Sequence, residues 1–175
     1  MNANTVLLGA ALSEAAQQPL DTLLEERLFV PLDLTSTHYV QDTEGAGLDL
    51  PIGYQPSDDG ELAEQPVNFT VFDAAGAMVS SLTDLLRWGE ALGEGRGLSE
   101  AARRARTATA GLLEGREYDD YGLGFGRLET FWGHTGEGFG MCSSLRLGNL
   151  AWHRRFEDIF SKSAAKMCAN NQAQR

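Results

Sequence analysis

Trp132-Gly133-His134-Thr135-Gly136-Glu137-Gly138 stands at the entrance of a strand-like run and carries glycine on both sides of a His-Thr pair. Glycine has no Cβ, so a ligand can approach the main chain closely there, and backbone N–H groups are left accessible to a developing oxyanion. His134 and Thr135 add polar side chains at the same place. A plainer reading of the same residues is a glycine-rich hairpin whose histidine satisfies a neighbour. The flanks on either side alternate like strands: Tyr121-Gly122-Leu123-Gly124-Phe125-Gly126-Arg127-Leu128 before the motif and residues 141–147 after it, with residues 132–140 as the connecting segment.

Upstream the period is helical. Asn4 caps a predicted helix over residues 4–17, with Val6, Leu7, Ala10, Ala11 and Ala15 mostly on one face, and Pro19 ends it. Residues 20–28 place Leu20, Leu23, Leu24 and Leu28 on an apolar stripe before Pro31. Residues 41–66 are rich in Gly, Pro, Asp and Glu without a sustained period, which predicts an exposed loop with one short strand at 52–55. The best-supported helix begins at the capping-box-like pair Ser81 and Asp84. It should pack its leucines and Trp88 inward and stop at Gly93, Gly95 and Gly97. A fourth helix runs from Ser99 to Ala110, and residues 150–166 return to helical spacing with Trp152, Phe156, Ile159 and Phe160 on one side. The fold class is therefore α+β, a helical region followed by antiparallel strands.

The chain of 175 residues has the size of one ordinary domain, and its 25 acidic against 14 basic residues give a formal charge of -11. Such a surface repels phosphate backbones, so no nucleic-acid partner is expected. Residues 1–100 hold 17 acids and 3 bases, net -14, whereas residues 101–175 hold 8 acids and 11 bases, net +3. Lys162 and Lys166 are the two lysines, so no lysine upstream of them can anchor phosphate or act as a base. Cys142, Cys168 and three scattered histidines have no metal-ligand spacing, and no metal or organic cofactor is implied. Residues 6–12 are apolar but lack a positive flank, since the first base is Arg27. With no apolar run of about twenty residues, no membrane span is expected. Localisation stays open between the bacterial cytoplasm and export through an upstream segment.

The order of segments resembles the penicillin-recognising serine hydrolases: class C β-lactamases, DD-peptidases and related esterases. Asn2-Ala3-Asn4-Thr5-Val6-Leu7-Leu8-Gly9 is similar to the family's Tyr-Ser-Asn stretch and the helix after it. Phe29-Val30-Pro31-Leu32-Asp33-Leu34-Thr35-Ser36-Thr37 resembles Phe-x-Pro-Leu-Gly-Met-x-x-Thr. Ala74-Ala75-Gly76-Ala77-Met78-Val79-Ser80-Ser81-Leu82-Thr83-Asp84-Leu85-Leu86-Arg87-Trp88 resembles Ala-Gly-Gly-x-x-Ser-Thr-x-x-Asp-Leu-x-x-Trp. Tyr121-Gly122-Leu123-Gly124-Phe125 and Gly133-His134-Thr135-Gly136 match the paired strands that follow. The resemblance implies a partial β-lactamase/transpeptidase-like fold over residues 1–147. By position, His134, Thr135 and Gly136 correspond to the third motif lining the substrate site. Glu137 would give its backbone N–H to the oxyanion hole, and Asn2 would contact substrate.

The family's nucleophile lies in Ser-x-x-Lys, upstream of Tyr-x-Asn, and neither that motif nor the Tyr precedes Asn2 here. The resemblance therefore implies the C-terminal portion of a serine hydrolase acting on a β-lactam, a D-alanyl peptide or an ester, inactive by itself and completed by an N-terminal half. The competing expectation is a non-enzymatic partner-binding module derived from that fold. Ser163-Ala164-Ala165-Lys166 has the right spacing but follows the third motif, against the family's order, and is read as a chance match. Residues 148–175 are expected to be a divergent tail with an amphipathic helix. Asn68-Phe69-Thr70 is an incidental sequon, and the Asp58-Asp59 and Asp119-Asp120 pairs read as solvated surface. The glycines of residues 93–97 and 122–126 lack dinucleotide or P-loop spacing.

Overall fold

The computed structural model describes residues 3–42, 47, 48, 50–108, 110, 111, 118–138 and 140–148. The chain divides into two compact units, one built on Met1–Trp88 with Gly138–Met141, the other on Gly89–Glu137 and the strand residues from Cys142. Its mixture of helices and antiparallel strands is the expected α+β class. The predicted tail helix, with Ser163 and Lys166, lies outside the described residues.

In the first unit, helix α1 (Ala3–Ala16) is followed by α2 (Leu20–Leu24), which widens into a π-helical turn at Glu25–Phe29. The face α1 buries differs from the expected one. Gly9 is its buried residue, with Val6 and Ser13 half-buried, while Leu7 and Leu8 are exposed. Sterics decide this: a Cβ at Gly9 would stand 2.4 Å from Ala74 Cβ and 3.1 Å from Leu20 Cδ2, so the helix approaches through its smallest residue. Strand β1 (His38–Tyr39) pairs antiparallel with β4 (Met78–Val79). Beside them Val40, Phe69 and Ala77 form the buried core, packed by Tyr39, Leu50, Val67, Phe72 and Val79.

Where a loop with one short strand was expected, β2 (Gly53–Pro56) and β3 (Leu62–Gln65) make a hairpin with Tyr54 opposite Glu64. The acidic pair at its turn is structural as well as solvated. Asp59 Oδ1 accepts from Ser57 Oγ at 2.5 Å and from the N–H of Glu61 at 3.3 Å, and these bonds hold its carboxyl below the usual range. Asn68 spends its side chain locally too, capping the 3-10 turn Phe69–Val71 by accepting from Thr70 N at 3.1 Å.

Helix α3 (Leu82–Glu94) starts as its capping signal predicts, with Ser81 Oγ accepting from Asp84 N at 3.2 Å. The carboxylate of Asp84 does not close the box. It is buried and accepts from Ser36 N, Thr37 Oγ1 and Arg87 Nη1. The inward packing expected of the leucines fails at Leu82, which is 55% exposed, while Leu85, Leu86 and Trp88 are half-buried. At the helix end Gly95 takes φ +66°, with Arg96 N donating to Ala91 O at 2.9 Å and Gly95 N to Leu92 O at 3.2 Å. That pair of bonds is a Schellman stop, which only a residue tolerating positive φ permits at low cost.

The second unit carries α4 (Glu100–Thr107), capped by Ser99 Oγ accepting from Ala102 N at 3.1 Å and ending before the predicted Ala110. Its sheet runs in the order β5 (Ala110–Gly111), β6 (Asp120–Tyr121), β7 (Gly126–Leu128), β8 (Phe131–Gly138) and β9 (Met141–Leu147). Residues 121–128, expected as one strand, are a tight hairpin instead. Gly122 N donates to Phe125 O at 2.7 Å and Gly124 has φ +70°, so the alternation of glycines marks a turn rather than a pleat. The motif segment, expected as a connection between strands, is itself part of β8, the longest strand among the described residues.

Candidate active site

Two short antiparallel strands, β6 and β7, lead into β8, which carries the His-Thr-Gly motif. Tyr121 pairs with Gly126, and Gly126 pairs in turn with Gly133. A Cβ on Gly126 would stand 2.3 Å from the Tyr118 ring, and one on Gly133 would stand 1.9 Å from Leu145 O. Both positions therefore demand glycine, and the Tyr118 ring lies against the bare backbone at Gly126. Gly122 is equally constrained, since a Cβ there would reach Arg106 O at 2.1 Å.

The Asp119-Asp120 pair, expected as solvated surface, secures these turns. Asp119 Oδ2 accepts from Glu129 N at 2.6 Å, and Asp120 forms a cross-strand ion pair with Arg127 at 3.6 Å. Behind the hairpin the Arg106 guanidinium lies over the Phe125 ring at 5.2 Å and donates from Nη2 to Leu92 O at 2.8 Å. Burial, and secondarily Arg103, lowers its pKa. Its Nε and Nη1 have no hydrogen-bond partner among the described residues.

Four of the five sequence-selected residues lie in succession on β8. Gly133 is buried beneath them, whereas His134, Gly136 and Glu137 are exposed and Thr135 is half-buried. Asn2 lies outside the described residues. Gly136 faces Ser143, whose Oγ would be 2.7 Å from an added Cβ. A strand with this exposure offers a ligand both side chains and main-chain groups.

Two further residues join the motif. Thr135 N donates to the Tyr118 hydroxyl at 2.9 Å, and the same hydroxyl shares a 3.0 Å hydrogen bond with Thr135 Oγ1. The Tyr121 hydroxyl meets His134 Nε2 at 2.7 Å, while Nδ1 of the same ring meets Thr135 O at 2.5 Å. The rings of Tyr118 and Tyr121 stand edge-to-face at 5.6 Å, and each lies within 6 Å of the His134 ring, at 5.8 and 5.9 Å. The sequence presents Tyr121 in a strand-like alternation and in the family-like run Tyr121-Gly122-Leu123-Gly124-Phe125, and it gives Tyr118 no role. Two tyrosines three positions apart beside a glycine turn were the available signal. Among the described residues no group of three or more His, Cys, Asp or Glu side chains could hold a metal ion, and no helix is long and apolar enough to cross a membrane.

Solved structures share this architecture. A D-stereospecific amidohydrolase from Streptomyces sp. superposes with a TM-score of 0.74 at 28% identity, over 84% of this chain and 45% of its own. A penicillin-binding protein homologue from Pyrococcus abyssi, described as octameric, gives 0.65 at 21% identity, over 78% of this chain and 32% of its own. A D-amino acid amidase from Ochrobactrum anthropi SV3, complexed with D-phenylalanine, gives 0.64 at 22% identity, over 79% of this chain and 44% of its own. The last two likenesses speak to the fold, and the chain spans less than half the length of each of the three. Residues 1–148 match the family model described as Beta-lactamase, and the chain accordingly belongs to the beta-lactamase family of serine-hydrolase-like proteins.

Proposed function

We propose that residues 1–148 furnish the substrate-lining part of a serine acyl-transfer site whose nucleophile comes from a segment outside this sequence. The observation that carries the reading is the succession His134, Thr135, Gly136 and Glu137 on β8, with His134, Gly136 and Glu137 exposed and the first two side chains anchored by tyrosines. In this reading His134 and Thr135 line the substrate site, Gly136 keeps the strand open to a bound acyl group, and the Glu137 N–H is an oxyanion donor. Asn2 adds a substrate contact. A serine Oγ from the complementing segment bonds to the substrate carbonyl carbon, the C–N or C–O bond breaks, and the leaving group departs with a proton. Water then attacks the acyl-serine and regenerates the hydroxyl. The likeness to a D-stereospecific amidohydrolase at 28% identity supports a D-configured amide or peptide over a β-lactam or a simple ester.

The test is complementation with an N-terminal half bearing Ser-x-x-Lys and Tyr, taken from a related amidohydrolase, followed by turnover of a D-amino acid amide. Turnover should appear, and His134→Ala should lower it by roughly ten- to a thousandfold, the range one polar group lining such a site supplies. Turnover unchanged by His134→Ala would overturn the assignment of the third motif. Assembly with no acyl transfer would favour a partner-binding module.

A further inference from the structure

We propose that Tyr121 is a positioning residue that holds His134 in the tautomer protonated at Nδ1, leaving Nε2 as the nitrogen with the lone pair. The assignment follows from what each partner can do. His134 Nδ1 lies 2.5 Å from the carbonyl oxygen of Thr135, and a carbonyl only accepts, so Nδ1 carries the hydrogen. A neutral imidazole has one N–H, so Nε2 must accept, and the group facing it at 2.7 Å is the Tyr121 hydroxyl, which donates.

The geometry is held from outside the pair. Tyr121 is fixed by its pairing with Gly126 and by the turn in which Gly122 N donates to Phe125 O, and the Tyr118 ring packs against both Tyr121 and His134. Tyr118 bonds Thr135 rather than the imidazole, so the two tyrosines divide the motif between them. A histidine so held presents its ring in one orientation, which is the usual use of a partner on the second ring nitrogen. The consequence for turnover rests on the acyl-transfer reading above, whereas the tautomer does not.

The experiment is long-range proton–nitrogen correlation on the full chain carrying isotope-labelled histidine, above the ordinary imidazole titration range of about 6.5. His134→Gln identifies the signals. The wild type should show a pyrrole-like Nδ1 and a pyridine-like Nε2. Tyr121→Phe should lower the ratio of Nδ1–H to Nε2–H tautomer roughly fivefold to tenfold, the worth of one hydrogen bond, and Tyr118→Phe should leave it in place. Fluorotyrosine at position 121, a stronger donor of the same shape, should shift Nε2 further and serves if the Phe variant does not fold. An Nε2–H or free-imidazole pattern in the wild type, or equal effects of the two Phe variants, would overturn the proposal. None of these readouts needs turnover, so a failed complementation leaves them standing.

Discussion

The carboxylate of Asp84 accepts the backbone N–H of Ser36 at 2.7 Å, a bond that ties the first turn of α3 to a segment 48 positions earlier. The same oxygen takes the Thr37 hydroxyl at 3.0 Å, and the other takes Arg87 Nη1 at 3.1 Å. Arg87 in turn donates to Asp33 O at 2.8 Å and pairs with its carboxylate at 3.4 Å. One buried side chain thus organises the approach of two chain segments in the first unit.

Asp84→Ala should destabilise that unit by about 3 kcal/mol, because it leaves a main-chain N–H and a hydroxyl without their acceptor. Asp84→Asn keeps one acceptor and should cost about half as much. Urea denaturation of the variants checks both. Equal midpoints for wild type and Asp84→Ala would contradict the network.

Gly9→Ala sets two effects against each other. Helix propensity favours alanine by about 1 kcal/mol, but the new Cβ would sit 2.4 Å from Ala74 Cβ, and overpacking costs about 1–3 kcal/mol. The steric effect should win, and Ala74→Gly should restore stability in the double variant. A more stable Gly9→Ala single variant would show that α1 can move away freely.

Tyr39 donates to the Asp73 carboxylate, and its phenol pKa is raised to about 12, first by burial and then by that bond. The folded state therefore keeps a proton that the unfolded chain releases near 10. The associated stability is present below the unfolded value and is lost as pH rises through about 12. Absorbance titration should show one tyrosine ionising late, absent in Tyr39→Phe, and the variant should be less sensitive to alkali.

The 175-residue chain alone should form no adduct with a fluorescent penicillin and should not hydrolyse a p-nitrophenyl ester above background. The oxyanion donor and substrate-lining histidine of the proposed site would stabilise charge, but an acyl-enzyme needs an activated nucleophile. The control is Ser163→Ala, in the one Ser-x-x-Lys string of the sequence. Labelling abolished by that change would assign the nucleophile to Ser163; labelling that survives it would point next to Ser80 and Ser81.

Signals confined to a few neighbouring positions were legible in the sequence. The cap at Ser81 and the stop at Gly95 were among them, because a cap joins residues within about five positions and needs nothing distant. The order of motifs likewise carried the family and put His134, Thr135, Gly136 and Glu137 in one run. Periodicity misread residues 121–128 because alternating glycines fit a pleat and a turn equally well until hydrogen bonding selects one. It also misjudged α1, whose buried face is set by the side chain that must be absent at Gly9 rather than by the leucines present. Which groups hold the motif was decided only in three dimensions. Tyr121 reaches His134 across 13 positions and Tyr118 reaches Thr135 across 17, after a glycine turn reverses the chain and Gly126 leaves room for a ring. A one-dimensional pattern names the residue types that chemistry needs. Only the folded backbone brings a hydroxyl to one particular ring nitrogen, because that bond depends on distance and direction rather than on composition.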